Sequence, residues 1–527
     1  MDVELGKIPV RLTLSALDAI DPDTFNWNAY IGTYKGRALI TRLSHIPKLV
    51  LSQANASLNA RKLARAAALR AIPLIKEQTW DHNLYLRLVS QIDQTLNPGK
   101  IRATDDAMDV DAAYSKKGSE ADGTPDSFWV QETRDKEEAE NNRLNVELNG
   151  YIANLIKESI RLTYLAQAEL ALKTGSLPEA LKAWQQVREN CSGAAHFVEL
   201  GLAVLEGSLQ FNDTCVVSGN AAKTSASLDR LHPAKDASDA PVSSTMTRAQ
   251  VEMSRTQAAR SAEVRRAVGV KLRVARGLLA IDSLEFSRAA RELGEIGEEG
   301  GLGEWDGVVI STADLAFLTA ILALASGSRD YIKRVLLDRP SFHAAIDDSQ
   351  PWILDLVRAF VGANYGEALT ILRKAEPYML LNPFIAPHTP GLLQNIRQRA
   401  VVQYVAPFSS VRISQMAEAF ETDEDSMVYE VCQLAEDGAI SARVDLVDRV
   451  FNIKEADPRA EAFRSTLEGG YKITAETQAN VFRMRLKEAG VTVDVGDDEG
   501  GGSKISKPLG QSKSRGTKDW KKAPGHA

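Results

Sequence analysis

The sequence predicts a mainly α protein, a right-handed helical-repeat (TPR-like) solenoid that runs into a winged-helix module and ends in one further helix. Three observations carry this. Long stretches such as LNARKLARAAALRAIPLIKEQ are built from Ala, Leu, Arg and Lys, the strongest helix formers, and are punctuated by Gly or Pro. Between Tyr151 and Val187 the apolar residues fall into a helical hairpin, with small residues spaced to let neighbouring helices stack. Finally, Ala400 to Asp445 has the order helix, helix, strand.

In that last stretch Val411, Ile413, Met416, Ala417 and Phe420 recur near the 3.6-residue period of one helical face, after an extended lead-in with Gln403, Tyr404 and Phe408. A second helix, from about Ser426 to Glu436, stops at Gly438, the residue that most easily takes a left-handed helix-ending conformation. Ile440, Ala442 and Val444 then alternate as a half-buried strand. A winged helix of this kind docks either on nucleic acid or on protein.

Upstream, residues 1–104 form an N-terminal helical region, with Tyr30, Tyr34, Leu39, Leu43 and Ile46 as its first apolar positions and Pro73 as a kink or break. Residues 105–127 hold too little apolar surface to offset the entropy of ordering and are expected to be a disordered insert. Residues 128–399 form the helical repeats. In the clearest hairpin, Tyr151, Leu155, Ile160, Tyr164 and Leu165 line one helix, Gly175 closes it, and Ala180, Leu181, Trp184 and Val187 line the next. Residues 212–262 are polar, small and Pro-interrupted, and are expected to be a second disordered loop. The winged-helix part spans 400–470. A C-terminal helix occupies 471–490, with Phe482 and Leu486 four apart on one face, and 491–527 form a disordered basic tail.

Composition narrows the function. The 527 residues are 44% hydrophobic and 25% charged, enough for three or so domains with their own cores, and no apolar run approaches a membrane span. Three separated cysteines and an N-terminus without a signal-like apolar region suit a reducing cytoplasmic or nuclear compartment. The seven histidines show no metal-ligand spacing, the glycines of GLGEWDG miss the dinucleotide pattern, and no Walker-type GK[ST] occurs. Cys191, five residues before His196, ends an Ala/Leu/Trp helix and reads as packing rather than as a nucleophile. No enzyme, metal or cofactor site is expected.

Charge separates the two uses of the winged helix. From Ile413 to Gly438 there is no Lys or Arg, while Glu421, Asp423, Glu424, Asp425, Glu430, Glu436 and Asp437 are all acidic. A helix entering the major groove needs the opposite sign. Protein docking remains, with the strand Ile440 to Asp445 offered as an edge to a neighbour's strand.

Helical repeats running into QYVAPFSSVRISQMAEAF and LAEDGAISARVD resemble the PCI-domain family shared by the proteasome lid, the COP-nine signalosome and translation initiation factor three. The likeness spans roughly residues 25–470 without the two loops, and within the family it is to the signalosome branch. YIGTYKGRALITRLSHI, NGYIANLIKESIRL, TGSLPEALKAWQQVRENC and IRQRAVVQYVAPFSSV carry it. The proteasome-lid counterpart shares the layout, and a stand-alone helical-repeat adaptor is the other alternative. The loop at 212–262 and Trp184 depart from the family pattern.

The resemblance implies a non-catalytic scaffold subunit in a complex that removes the ubiquitin-like modifier from cullin-RING ligases through a separate metalloprotease subunit. It implies other PCI-domain subunits as partners, no nucleic acid and no membrane. It further implies that Ile440, Ala442, Arg443, Val444 and Asp445 join a ring of winged helices, and that Phe482 and Leu486 join a bundle of C-terminal helices.

Overall fold

The structure, a computed structural model, describes residues 17, 20–22, 24–52, 57–96, 123–231, 248–298, 301–346, 350–440, 442–445, 449–453 and 458–489. The chain separates into two units, residues 1–453 and 454–527. The fold is mainly α, with one small sheet among the described residues.

The N-terminal helices are α1 (Trp27–Ile31), α2 (Gly36–Leu51), α3 (Leu58–Gln78) and α4 (His82–Leu96). Ser57 caps α3 by accepting from the Ala60 amide at 3.1 Å. Of the kink or break expected at Pro73, the break does not occur, since α3 continues through it. Its alanines explain the packing: Ala60, Ala64, Ala67, Ala68 and Ala71 are buried at helical spacing and let α2 approach closely. Leu43, Ile46, Ile72, Ile75 and Tyr85 fill the same core.

Next come α5 (Ser127–Ala153), α6 (Lys157–Thr174), α7 (Leu177–Glu189), α8 (Ala194–Gln210), α9 (Val217–Leu231), α10 (Arg248–Asp282), α11 (Phe286–Gly294) and α12 (Thr312–Ser326). Each packs on its predecessor or successor, as stacked hairpins do. Gly175 is left-handed at φ +84° and ends α6, as the sequence predicts. α12 is apolar all round, with Leu315 to Ala325 buried, so it sits inside the stack rather than at its surface. The short helices α13 (Arg329–Ile332) and α14 (Pro340–Ala345) lead to α15 (Trp352–Val361), α16 (Tyr365–Leu381) and α17 (Thr389–Val405).

The loop expected at 212–262 is corrected. Its first part contains α9, and from Arg248 it belongs to α10; residues 232–247 lie outside the described residues. Val217, Ala221, Thr224 and Leu228 recur every three or four residues and are buried. Thr224 satisfies its hydroxyl by donating to the Asn220 carbonyl at 2.7 Å and packs against Gly201 of α8. A stripe of small residues is enough when the facing position is glycine. Of the insert expected at 105–127, residues 105–122 lie outside the described residues, whereas 123–127 are described and lead into α5, with Asp126 as its cap; the tail at 491–527 also lies outside the described residues.

The winged-helix part follows: β1 (Ser410–Arg412), α18 (Ile413–Ala419), α19 (Glu424–Glu436), β2 (Ala442–Asp445) and β3 (Val450–Ile453). The sheet is antiparallel with order β1-β3-β2. Two local readings change. Gln403 and Tyr404 belong to α17 rather than to an extended lead-in, and Val411 is a strand residue opposite Phe451. In the second unit α20 spans Pro458–Glu488, so the C-terminal helix begins well before residue 471 and runs through Gly469 and Gly470.

Candidate protein-interaction surface

The winged-helix module is built from its buried face outward. Ile413, Met416 and Phe420 from α18 and Met427, Val431 and Leu434 from α19 are buried together with Phe451 of the central strand. Gly438, at φ +74°, ends α19, and the amides of Ala439 and Ile440 donate back to the Leu434 carbonyl at 2.9 and 3.3 Å. That reversal turns Ile440 inward. It is 7% exposed and precedes the strand, so it is a core residue and not part of a docking edge.

The remaining strand residues lie where an edge requires them. β2 is an outer strand, with Ala442 opposite Ile453, Arg443 opposite Asn452, Val444 opposite Phe451 and Asp445 opposite Val450. Arg443 is exposed and Asp445 half-buried. An outer strand offers backbone donors and acceptors to a further strand. The sequence did not assign β1 or β3. The run VFNI, apolar and aromatic at alternate positions, was the available signal for β3.

The module is fixed to the helical stack by aromatic and ionic contacts. Tyr365 of α16 stacks on Phe420, with centroids 5.8 Å apart and planes at 3°, and Tyr404 of α17 meets Phe420 edge-on at 5.5 Å. Arg397 of α17 pairs with Glu430 of α19 at 2.9 Å, and Arg449 pairs with Glu424. These arginines come from outside the acidic stretch and neutralise two of its carboxylates. Asp423, Asp425, Glu436 and Asp437 stay exposed, as does Tyr429 at 73%. The surface of α19 is acidic with an aromatic at its middle, the wrong charge for phosphate.

The second unit offers an apolar surface of its own. Phe482 is 63% exposed on α20 and Leu486 is half-buried. Phe463, Leu467 and Tyr471, four apart and exposed on the earlier part of the same helix, precede or mark the helix start expected at residue 471, because Gly469 and Gly470 look like a break that α20 runs through. An α-helix with this much exposed aromatic surface is the kind that packs against other helices.

No group of three or more His, Cys, Asp or Glu among the described residues could hold a metal ion. Cys191, just past the end of α7, donates to the Val187 carbonyl of that helix at 3.3 Å, and burial raises its pKa, which favours the unreactive thiol.

A winged helix with an outer strand, carried on stacked helices, has the layout of a PCI-type module. Comparison with known families agrees: residues 372–455 match the PCI domain and residues 126–335 match the family described as 26S proteasome subunit RPN7. The chain is similar to COP9 signalosome complex subunit 1b of Drosophila melanogaster, 29% identical over 71% of this chain and 66% of that protein. It is also similar to COP9 signalosome complex subunit 1 of Arabidopsis thaliana, 26% identical over 68% of this chain and 74% of that protein. The 26S proteasome non-ATPase regulatory subunit 6 of Dictyostelium discoideum is 19% identical over 67% of this chain and 83% of its own length. The chain thus carries a PCI domain and resembles signalosome subunit 1.

Proposed function

We propose that the chain is a non-catalytic scaffold subunit of a COP9 signalosome, present in cytoplasm and nucleus. In this reading it supports removal of the ubiquitin-like modifier from cullin-RING ligases by a separate metalloprotease subunit. The observation that carries it is the similarity to signalosome subunit 1 proteins of a fly and a plant over 71% and 68% of the chain. Two surfaces support it: the outer strand Ala442–Asp445 with Arg443 exposed, and the exposed apolar residues of α20. The first suits a neighbouring PCI subunit's strand, the second the helices of other subunits, and cullin-RING ligases are reached through the assembly.

The match to the RPN7 family supports a second reading, a subunit of the proteasome regulatory lid. Affinity purification of the tagged chain with mass spectrometry separates the two. Co-recovery of a metalloprotease subunit and several PCI proteins is the result expected for the signalosome. Recovery of proteasome ATPases would assign the chain to the lid, and a lone monomer would overturn both.

A further inference from the structure

The N-terminal helices have a core of their own. Among the described residues their buried apolar cluster runs from Leu17 to Val130 at the start of α5 and beyond that takes in only Leu380 and Leu381, whereas the main cluster runs from Val198 to Phe451. What joins the two is largely polar. Arg42 of α2 pairs with Asp314 in the first turn of α12, and both side chains are less than a tenth exposed. Tyr34 donates to the same Asp314 carboxylate at 2.6 Å, and the Arg42 guanidinium lies over the rings of both Tyr30 and Tyr34. Burial disfavours the charged guanidinium, but Asp314 together with Tyr34 and Tyr30 outweighs it and holds the Arg42 pKa above its ordinary value. Burial raises the Tyr34 pKa, with the Asp314 charge adding to it, so the phenol stays a donor.

Besides the contacts of α3 and α4 to the helices that follow them, where the Trp80 amide donates to the Lys173 carbonyl of α6 at 3.0 Å, Asp81 packs against Gly175 and Lys76 pairs with Asp126, the seam around this pair touches three elements far apart in sequence. Thr41 donates to the Gln210 carbonyl at the end of α8 at 2.8 Å, and the Lys35 amide donates to the Gly307 carbonyl ahead of α12 at 2.8 Å. At the end of α16, the Tyr30 hydroxyl lies 3.0 Å from the Leu381 carbonyl and His45 Nε2 3.2 Å from that of Leu380. Gly307 sits at φ +75° with Thr33 so close that any side chain there would overlap the Thr33 carbonyl. Beside the seam lies a cleft of about 1280 Å³, walled by Phe25, Tyr30 and Tyr34 on one side and by Ser311, Phe317 and Tyr378 on the other.

A seam of this make behaves differently from an apolar core. Removing one partner of a buried ion pair leaves the other charge without compensation, so the loss is large and shared by every bond nearby. Two bodies with separate cores and few apolar contacts between them open as a unit at less cost than either body unfolds. The geometry points to a clasp: α1 to α4 form a separately cored module that the Arg42–Asp314 pair fastens across the ends of α8 and α16 and the start of α12, and that detaches as one body when the pair is broken. The module thereby sets the spacing between the helical repeats and the helices that carry the winged helix. This inference stands whether or not the signalosome reading does.

Hydrogen exchange of the full-length chain tests it, comparing wild type with Asp314→Asn. Amides of the last turn of α16, Met379 to Leu381, and of the Lys35–Gly307 contact are expected to exchange faster together, by about tenfold or more, the scale of losing a charge-assisted hydrogen bond. Those of α7 and α19, which the module does not touch, are expected to keep their rates. Tyr34→Phe, which removes one bond to the same carboxylate, is expected to give the same pattern at smaller amplitude, and it decides the matter should Asp314→Asn fail to fold. Faster exchange confined to the first turn of α12 in either variant would overturn the clasp. So would an equal rise in α7 and α19 for Tyr34→Phe, because the module would then have no independent opening.

Discussion

Arg397, on the last helix of the stack, places its Nε 2.9 and 3.0 Å from the two carboxylate oxygens of Glu430 in the second helix of the winged helix. Both side chains are mostly buried, at 25% and 18% exposure, so this pair is screened less than a surface one. It fixes the angle at which the acidic helix leaves the stack. Arg397→Ala is expected to lower stability by about 1–2 kcal/mol, because Glu430 is left without its counter-charge. Calorimetry of the single and double variants checks this: Arg397→Ala with Glu430→Gln should cost less than the sum of the two singles. Strict additivity would mean that the pair does not couple.

Gly201 and Thr224 make a second testable joint. The helices α8 and α9 approach so closely at this point that a Cβ on Gly201 would run into the Thr224 hydroxyl. Gly201→Val is expected to destabilise by about 1–3 kcal/mol through overpacking. Thr224→Ala in the same chain should recover part of that loss. A chemical denaturation midpoint unchanged by Gly201→Val would place the two helices further apart than described.

This joint also shows where the sequence was legible and where it was not. The order of helices, the end of α6 at Gly175 and the end of α19 at Gly438 follow from local rules, since each depends on backbone conformation at one residue. The helix α9 does not: its buried face is Val, Ala, Thr and Leu, and a threonine counts as polar until its hydroxyl is seen to bond its own helix. Ile440 fails for a related reason. Alternation with Ala442 and Val444 suggested a strand, but the Gly438 reversal reaches two residues further and turns it into the core. The partners of the acidic helix are not legible locally, because Arg397 and Arg449 lie outside the acidic stretch and meet it only in the fold. The buried Arg42–Asp314 pair joins positions 272 residues apart, and no local pattern reports such a contact.

His45 supplies a pH dependence. Its Nε2 lies 3.2 Å from the Leu380 carbonyl, and burial lowers its pKa to about 4 although that carbonyl pulls the other way. In the unfolded chain the imidazole takes up its proton near 6.5. Between these values the unfolded state binds more protons, so stability falls as pH drops from about 6.5 towards 4, by on the order of 1–3 kcal/mol. Urea denaturation at pH 7, 5.5 and 4.5 should show this slope in the wild type and a shallower one in His45→Gln. Equal slopes would mean that the imidazole is protonated in the fold.

The docking edge can be tested one direction at a time. Along an antiparallel strand successive amides alternate, one pointing to the paired strand and the next away from it. Of Arg443 and Val444 in β2, therefore, one amide faces β3 and the other faces the open side. A proline removes the donor at its own position. Arg443→Pro and Val444→Pro should thus differ in kind: one breaks a bond to β3 and lowers the melting temperature of the purified chain, whereas the other leaves it within a few degrees of wild type. The variant with the unchanged melting temperature is the informative one. If the outer strand is the docking edge, that variant should be recovered with fewer PCI partners than wild type, while the pairing to β3 and the acidic helix stay in place. A Phe482→Glu variant provides the comparison on the second unit, since it changes an exposed residue of α20 and leaves β2 untouched. Full recovery of partners by the stable proline variant, with loss in Phe482→Glu, would move the attachment from the strand to the helix.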